Sequence, residues 1–154
     1  MGEAELHLER MVKAPITAVF ERLADIEGIN EWQPHKGSIR RKSVQTSPGP
    51  VGLGTTYEDS TLFGKAPGEV VTFDRPQRLV YHWRLKAPWG ATLAEGWPGY
   101  TLESVGERET LVRHDATLQT YGIYGPATPV MKRIALRERT AVLDALEASF
   151  SPSR

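Results

Sequence analysis

Two polar residues, Asp59 and His114, fall on strand faces that are otherwise apolar. Side chains alternate between the faces of a strand, so an inward Tyr57 places Asp59 inward, and Val112 and Ala116 share the face of His114. A buried carboxylate and imidazole can form a general acid/base pair, because burial and mutual charge move both pKa values toward working pH. Two structural alternatives remain open. In the first, His114 has no catalytic role and donates only to a backbone carbonyl or a water. In the second, Asp59 lies at the rim of the cavity and is paired with an arginine.

Tyrosines and tryptophans form the second candidate group. Each offers a large apolar face with one polar handle, which suits an apolar ligand that carries an oxygen. Trp83 and Tyr57 are also explained by ordinary core packing, whereas Trp89 and Trp97 lie in Gly/Pro-rich segments suited to an entrance. The expected ligand-binding residues are Trp32, Tyr57, Asp59, Trp83, Trp89, Trp97, Tyr100, His114, Tyr121 and Tyr124. His35 is expected in a loop, either at the entrance of the expected cavity or as an ordinary solvated histidine.

The elements that position these residues come in a distinctive order: one strand, one early helix, a long run of strands and one closing helix. The i, i+3, i+4, i+7 spacing marks the early helix through Ile16, Val19, Phe20 and Leu23. The closing helix is expected over about 129–148. A lone helix laid across a curved antiparallel sheet must bury its apolar stripe there, and such a pair can enclose a cavity.

We expect strands over 4–13, 38–46, 54–63, 69–74, 78–85, 91–105 and 110–118. Alternation places Val71 on the same face as an inward Phe73. The sixth strand contains Trp97-Pro98, and we expect a kink there because proline in a sheet is confined to edges and bulges. The charges of the last helix are expected on its solvated side; they are Lys132, Arg133, Arg137, Glu138, Arg139, Asp144 and Glu147.

Composition limits the classes of function. The 154 residues suggest one domain over 1–150 with a frayed tail at 151–154. The 19 basic and 19 acidic residues cancel, which argues against a nucleic-acid partner. There is no cysteine, no metal-ligand spacing among the four histidines and no dinucleotide or Walker motif, so we expect no metal or cofactor. No apolar run suggests a membrane span or a signal peptide, and a cytoplasmic protein is expected.

Four stretches together resemble the START-related SRPBCC superfamily, within it the polyketide cyclase/dehydrase-like group. They are Val12 to Ile16 with Val19-Phe20, Leu23 to Trp32, Gly52-Leu53-Gly54-Thr55, and Phe73 to Tyr81. The resemblance implies an α+β helix-grip fold. In that fold a seven-stranded antiparallel sheet curves around a long C-terminal helix, with one or two short helices after the first strand and a hydrophobic tunnel between sheet and helix.

The resemblance also implies three kinds of function. Members of this superfamily bind lipids, sterols, polyketides and other apolar molecules, so the leading expectation is a binder of a small hydrophobic or aromatic, lipid- or polyketide-like ligand. The alternative is a cyclase/dehydratase in which His114 and Asp59 shuttle protons while Tyr100 holds an oxygen. A third is a chaperone-activator-like protein-interaction module. The sequence leaves the ligand and the oligomeric state open.

Overall fold

A computed structural model describes residues 2–33, 39–122 and 125–151. The elements are β1 (Gly2–Val12), α1 (Ile16–Ala24), α2 (Ile29–Trp32), β2 (Arg40–Gln45), β3 (Thr56–Thr61), β4 (Gly64–Asp74), β5 (Arg78–Lys86), β6 (Thr92–Gly106), β7 (Glu109–Thr120) and α3 (Thr128–Ser149). The candidates His35 and Tyr124 lie outside the described residues.

The strands form one seven-stranded sheet in the order β1-β7-β6-β5-β4-β3-β2, with every neighbouring pair antiparallel. One face of the sheet, the inner face, packs against α1 and α3. Phe20 and Leu23 of α1 and Leu146 of α3 are buried in the same core as the inner-face side chains. The α+β helix-grip architecture expected from the sequence is therefore confirmed.

A row of alternating large and small residues crosses the inner face. Register places Tyr57, Gly68, Trp83, Gly96 and Leu118 side by side on five neighbouring strands. A Cβ on Gly68 would lie 2.2 Å from the Tyr57 ring, and one on Gly96 would lie 2.5 Å from the Trp83 ring. Glycine in a strand interior often marks such a close approach. The two aromatic rings therefore lie across the backbone of the next strand instead of standing upright.

A β-bulge in β4 corrects one expectation about the inner face. Val70 pairs with Tyr81 and Thr72 pairs with Val80, so Val71 has no partner in the ladder. Strict alternation predicted Val71 on the face of Phe73, but the extra residue shifts the alternation by one. Val70 is fully buried there instead, and Val71 is half-buried.

The kink expected at Trp97-Pro98 is wrong. β6 keeps one register with β7 from Ala94 through Tyr100 and beyond, and its shift there comes only after Ser104. Against β5 the pairs pass from Val80↔Gly99 to Trp83↔Gly96 without a change of register. The β5–β6 ladder omits two residue pairs at the proline, which has no N–H to donate, and the register is the same on both sides of it.

Two further findings complete the fold. β4 begins at Gly64, earlier than the expected Glu69, and includes Pro67 opposite Glu58. Across the three described ranges, no helix has both the length and the apolarity that crossing a bilayer requires.

Candidate functional site

The closing helix places two charged residues toward the sheet. Val142 is fully buried, and Glu138 and Arg139 lie about one turn before it on the same side. Glu138 is 8% exposed and accepts a hydrogen bond from the Ile39 amide at 3.0 Å. The sequence placed both charges on the solvated side of α3, and this is wrong for Glu138 and for the half-buried Arg139. The signal available in the sequence was their spacing from Val142 and Leu143.

Arg139 is the common neighbour of the polar groups in the interior, by which we mean the space between the inner face and α3. Burial raises the pKa of Tyr100 and lowers that of His114, and the positive charge of Arg139 acts to lower both. The same charge also acts on Tyr57 and Asp59, which lie on β3. A cation therefore lies within electrostatic reach of every titratable candidate on the inner face of β3, β6 and β7.

His114 is held on two sides. Its ring stacks on that of Tyr100, with centroids 4.2 Å apart and planes 8° from parallel. Its Nδ1 lies 2.8 Å from the Gly99 carbonyl oxygen, and because a carbonyl can only accept, Nδ1 carries the hydrogen. The lone pair is then on Nε2, which is buried and has no hydrogen-bond partner among the described residues.

The protonation state of His114 follows from this position. Burial lowers its pKa to about 3, and the charge of Arg139 acts in the same direction, while the Gly99 hydrogen bond opposes both. The imidazole is therefore neutral at pH 7. It acts as a hydrogen-bond acceptor at Nε2, and it is a weak base.

Asp59 belongs to a second polar group at the β2–β3 side of the interior. Its carboxylate accepts a hydrogen bond from the Ser43 hydroxyl at 2.5 Å. Burial raises the pKa of Asp59, against the effects of the Ser43 hydroxyl and the Arg40 charge. Arg40 is 7% exposed and donates to Gln33 at 2.8 Å and to Asn30 at 3.0 Å. This network joins α2 to β2 and β3.

The structure does not place Asp59 and His114 in contact. Strands β6, β5 and β4 lie between β7 and β3, so the two strands are about 19 Å apart across the sheet. The register also offsets the two residues along the strands, because His114 is level with Phe73 of β4 and Asp59 is level with Ala66. Each has its own partner, Ser43 for the carboxylate and the Gly99 carbonyl for the imidazole. The Gly99 contact is the one that the structural alternative described for His114, whereas the alternative for Asp59 described an arginine at the rim and not the Ser43 hydroxyl that binds it.

Four of the aromatic candidates belong to the inner side of the sheet. The Tyr57 ring meets Tyr81 edge to face, with centroids 5.5 Å apart. Trp83 and Tyr100 lie on the same face, and Trp32 of α2 packs against the core from beside β2. The Trp32 Nε1–H is buried and, within the described part of the chain, has no acceptor. Burial raises the pKa of Tyr57 and Tyr100, so both hydroxyls stay protonated.

The other aromatic candidates lie elsewhere. Trp97 is on the outer face, stacked on His82 with centroids 4.4 Å apart. Tyr121 hydrogen-bonds there to Glu95, and Glu95 also lies 2.7 Å from His82 Nε2. Trp89 lies in the β5–β6 turn and is 78% exposed.

The interior thus combines an apolar, aromatic wall with a few polar groups of fixed character. Arg139 is a cation, Trp32 offers a donor and His114 offers an acceptor. Such an arrangement can orient an apolar molecule through its oxygen atoms, and a guanidinium can stabilise negative charge on one of them. No three side chains in the described ranges are grouped as metal ligands.

Comparison with known proteins agrees with this architecture. The family model for polyketide cyclase / dehydrase and lipid transport matches residues 3–151. A search of curated proteins gives no match. The fold is similar to that of the ZhuI aromatase/cyclase from Streptomyces sp. R1128, with a TM-score of 0.77 and 13% identity over 96% of this chain and 93% of that one.

Two other solved structures show the same likeness. A START superfamily protein from Mycobacterium smegmatis has a TM-score of 0.72 and 12% identity over 95% of this chain and 96% of that chain. The di-domain aromatase/cyclase StfQ of the steffimycin biosynthetic pathway has a TM-score of 0.73 and 12% identity over 96% of this chain and 50% of its own. At these identities the likenesses show a shared fold. The family model spans nearly the whole sequence, and the chain therefore belongs to the polyketide cyclase/dehydrase and lipid transport family.

Proposed function

We propose that this protein binds a small, flat, apolar molecule with oxygen substituents in the interior between the sheet and α3. The observation that carries the proposal is the buried Nε2 of His114, an acceptor without a partner among the described residues. Leaving a buried polar atom unpaired costs about 1–3 kcal/mol. A ligand hydroxyl that donates to Nε2 would offset this cost.

The other interior groups define which chemistry the ligand should have. Trp32 Nε1–H requires an acceptor, and Arg139 favours a carbonyl or phenolate oxygen. The rings of Tyr57 and Trp83 lie across the sheet and present wide apolar surface. A hydroxylated aromatic ketone of the polyketide type satisfies all of these requirements. The family description and the aromatase/cyclase neighbours support the same ligand class.

A cyclase/dehydratase activity is the second candidate, and the position of Arg139 favours it. A guanidinium beside Tyr100 is suited to stabilise the enolate oxygen that forms when a proton leaves the carbon next to a carbonyl. Of the two expected proton carriers, Asp59 is the stronger base, because burial raises its pKa while the pKa of His114 falls to about 3, and it would act on a substrate atom that reaches the β2–β3 side of the interior. In this activity His114 would orient the substrate.

Thermal unfolding with paired probes tests the binding proposal. Naphthol and hydroxyanthraquinone carry a donor hydroxyl, and naphthalene is the matched probe without one. We expect naphthol to raise the Tm by mass action and naphthalene to do so less. His114→Phe keeps a ring to stack on Tyr100 and removes the acceptor, so it should weaken naphthol binding about three- to tenfold and leave naphthalene binding unchanged.

The control variants separate the interior from the helix surface. Arg139→Leu should weaken binding of the hydroxyanthraquinone, whereas Arg137→Leu on the exposed side of α3 should not. Absence of any Tm shift with all three probes, or equal naphthol binding by His114→Phe and the wild type, would reject the proposal. Mass spectrometry of the recovered probe or of a poly-β-ketone substrate distinguishes a binder, which returns it unchanged, from a cyclase.

A further inference from the structure

Two neighbouring turns at one end of the sheet carry large apolar side chains that face solvent. The β3–β4 turn contains Leu62 and Phe63, which are 62% and 57% exposed, and the β5–β6 turn contains Trp89, which is 78% exposed. We call these three residues the apolar tips. The Cβ position of Gly64 lies 4.0 Å from the Lys86 carbonyl oxygen, so the two turns are adjacent.

The apolar tips lie beside the first half of α3. The Leu62 amide donates to the Ile39 carbonyl at 2.8 Å, and the Ile39 amide donates to Glu138 at 3.0 Å. One and two turns before Glu138 on the same helix side, Ile134 is 39% exposed and Val130 is 60% exposed. None of residues 128–137 is fully buried. Apolar surface therefore continues from the apolar tips onto α3.

The turn segments at this end carry cations and no carboxylate, while Glu3 and Glu5 of β1 lie to one side, next to Lys132. Segments 61–65 and 84–92 together contain Lys65, Arg84 and Lys86 and no carboxylate. Segment 125–133 adds Lys132 and Arg133, again without a carboxylate. Lys65 follows Phe63 by two residues and Lys86 precedes Trp89 by three, so both lysines lie close to the apolar tips. Lys65 is 3.3 Å from Glu58 and Arg84 is 3.8 Å from Glu95, so these two cations are partly neutralised.

We propose that this end of the molecule docks on the surface of an anionic phospholipid bilayer. The apolar tips are separate protrusions on turns, and a deformable lipid interface can accept such protrusions individually. Tryptophan and phenylalanine insert at the level of the headgroups, while lysine and arginine pair with anionic headgroups just outside. On this surface the apolar tips protrude furthest, at the turns, and the cations of β4 and β5 lie behind them, as such docking requires. The inference does not depend on which ligand the interior binds.

Vesicle co-sedimentation with the full chain tests the inference. The probes are phosphatidylcholine vesicles with and without phosphatidylserine, at low and high salt. We expect binding to the anionic vesicles that weakens with salt, and quenching of Trp89 fluorescence by brominated lipid. Phe63→Ser and Trp89→Ser should each weaken binding about tenfold, because each removes one large apolar side chain from the lipid interface.

Matched variants at the opposite end of the sheet serve as controls. Leu53 lies in the β2–β3 loop and is 73% exposed, so Leu53→Ser removes equally exposed apolar surface without affecting the apolar tips. Lys86→Glu should reduce binding to anionic vesicles, and Arg108→Glu in the β6–β7 turn, with the same change of charge, should not.

Three results would overturn the inference. They are absence of sedimentation with either vesicle, equal losses for Leu53→Ser and Trp89→Ser, and binding that depends on Lys86 but not on Phe63 or Trp89. The last result would mean that the protein adsorbs to the anionic surface by charge alone, without inserting the apolar tips. Loss of naphthol binding with vesicle binding intact would reject only the proposed ligand site.

Discussion

The imidazole of His114 lies flat on the phenol ring of Tyr100, with ring centroids 4.2 Å apart. The stack fixes the plane of the imidazole, and the Gly99 carbonyl fixes its tautomer. The positive charge of Arg139 acts on both rings of the pair. Nε2 of His114 is therefore a neutral hydrogen-bond acceptor held in a fixed orientation.

The first prediction concerns stability in acid. The folded-state pKa of His114 is about 3, against 6.5 in the unfolded chain, so the unfolded state binds more protons between these values. Stability should therefore fall as the pH drops from 6.5 toward 3, by up to about 1.4 kcal/mol per pH unit from this residue. His114→Phe lacks this titration. Between pH 7 and pH 4 the free energy of unfolding of the wild type should therefore fall by about 3 kcal/mol more than that of His114→Phe, as measured by denaturant unfolding. Parallel losses would mean that His114 is protonated in the folded protein.

The second prediction concerns Arg139. Its charge lowers the pKa of His114, so Arg139→Leu should raise that pKa above about 3. Arg137 lies on the exposed side of α3, and Arg137→Leu should leave the imidazole unchanged. Proton NMR titration of the His114 ring in the three proteins measures the shift. An unchanged pKa in Arg139→Leu would place the guanidinium outside the interior.

The third prediction concerns the glycine beneath Trp83. Gly96→Ala puts a Cβ 2.5 Å from the indole, which must move, and we expect a loss of about 1–3 kcal/mol. Gly52→Ala is the control, because a Cβ there meets nothing within 4 Å, and it should be neutral or slightly stabilising. Urea unfolding gives the free energies, and tryptophan emission reports the indole environment. Equal stability of the two variants would contradict the close approach.

The fourth prediction concerns the outer face. Glu95 accepts hydrogen bonds from His82 and Tyr121. Burial alone would raise its pKa, but these bonds and the nearby positive charges lower it below 4.5. The contribution of Glu95 to stability is thus present above pH 4.5 and is lost as the pH falls below that value.

Glu95→Gln should cost about 1–3 kcal/mol at pH 7 and little at low pH, because the charge-assisted bonds are already absent there. Glu103→Gln on the same strand is the control. Its carboxylate is 54% exposed and lies 3.2 Å from Arg113, and such surface pairs contribute about 0–1 kcal/mol. Calorimetry across the pH range compares the two. A similar cost for both variants would indicate that Glu95 is not a structural anchor of the outer face.

The order and type of the elements were predictable because each depends on a local pattern. Phe20 and Leu23 follow helical spacing, and the strands alternate over lengths long enough to recognise. Alternation also placed His114 on the same face as Val112, and both residues are buried.

The remaining errors have a common physical cause, which is that they depend on contacts between elements. The bulge that exchanges Val70 for Val71 is a mismatch between two strands, and one strand's sequence does not show it. From the helix sequence alone Arg139 is expected in solvent, and only the positions of Tyr100 and His114 on the sheet show that it faces them. Trp97 was assigned to an entrance from its Gly/Pro neighbours, whereas the register through Pro98 places it on the outer face against His82.

The alternation of rings and glycines across the inner face has a consequence for how the space between the sheet and α3 can change. The rings of Tyr57 and Trp83 lie over Gly68 and Gly96, which have no side chains. Shortening either ring would open space above the corresponding glycine while the backbone hydrogen bonds of the sheet stayed in place. The room between the sheet and α3 can therefore be changed by single substitutions that leave the scaffold intact.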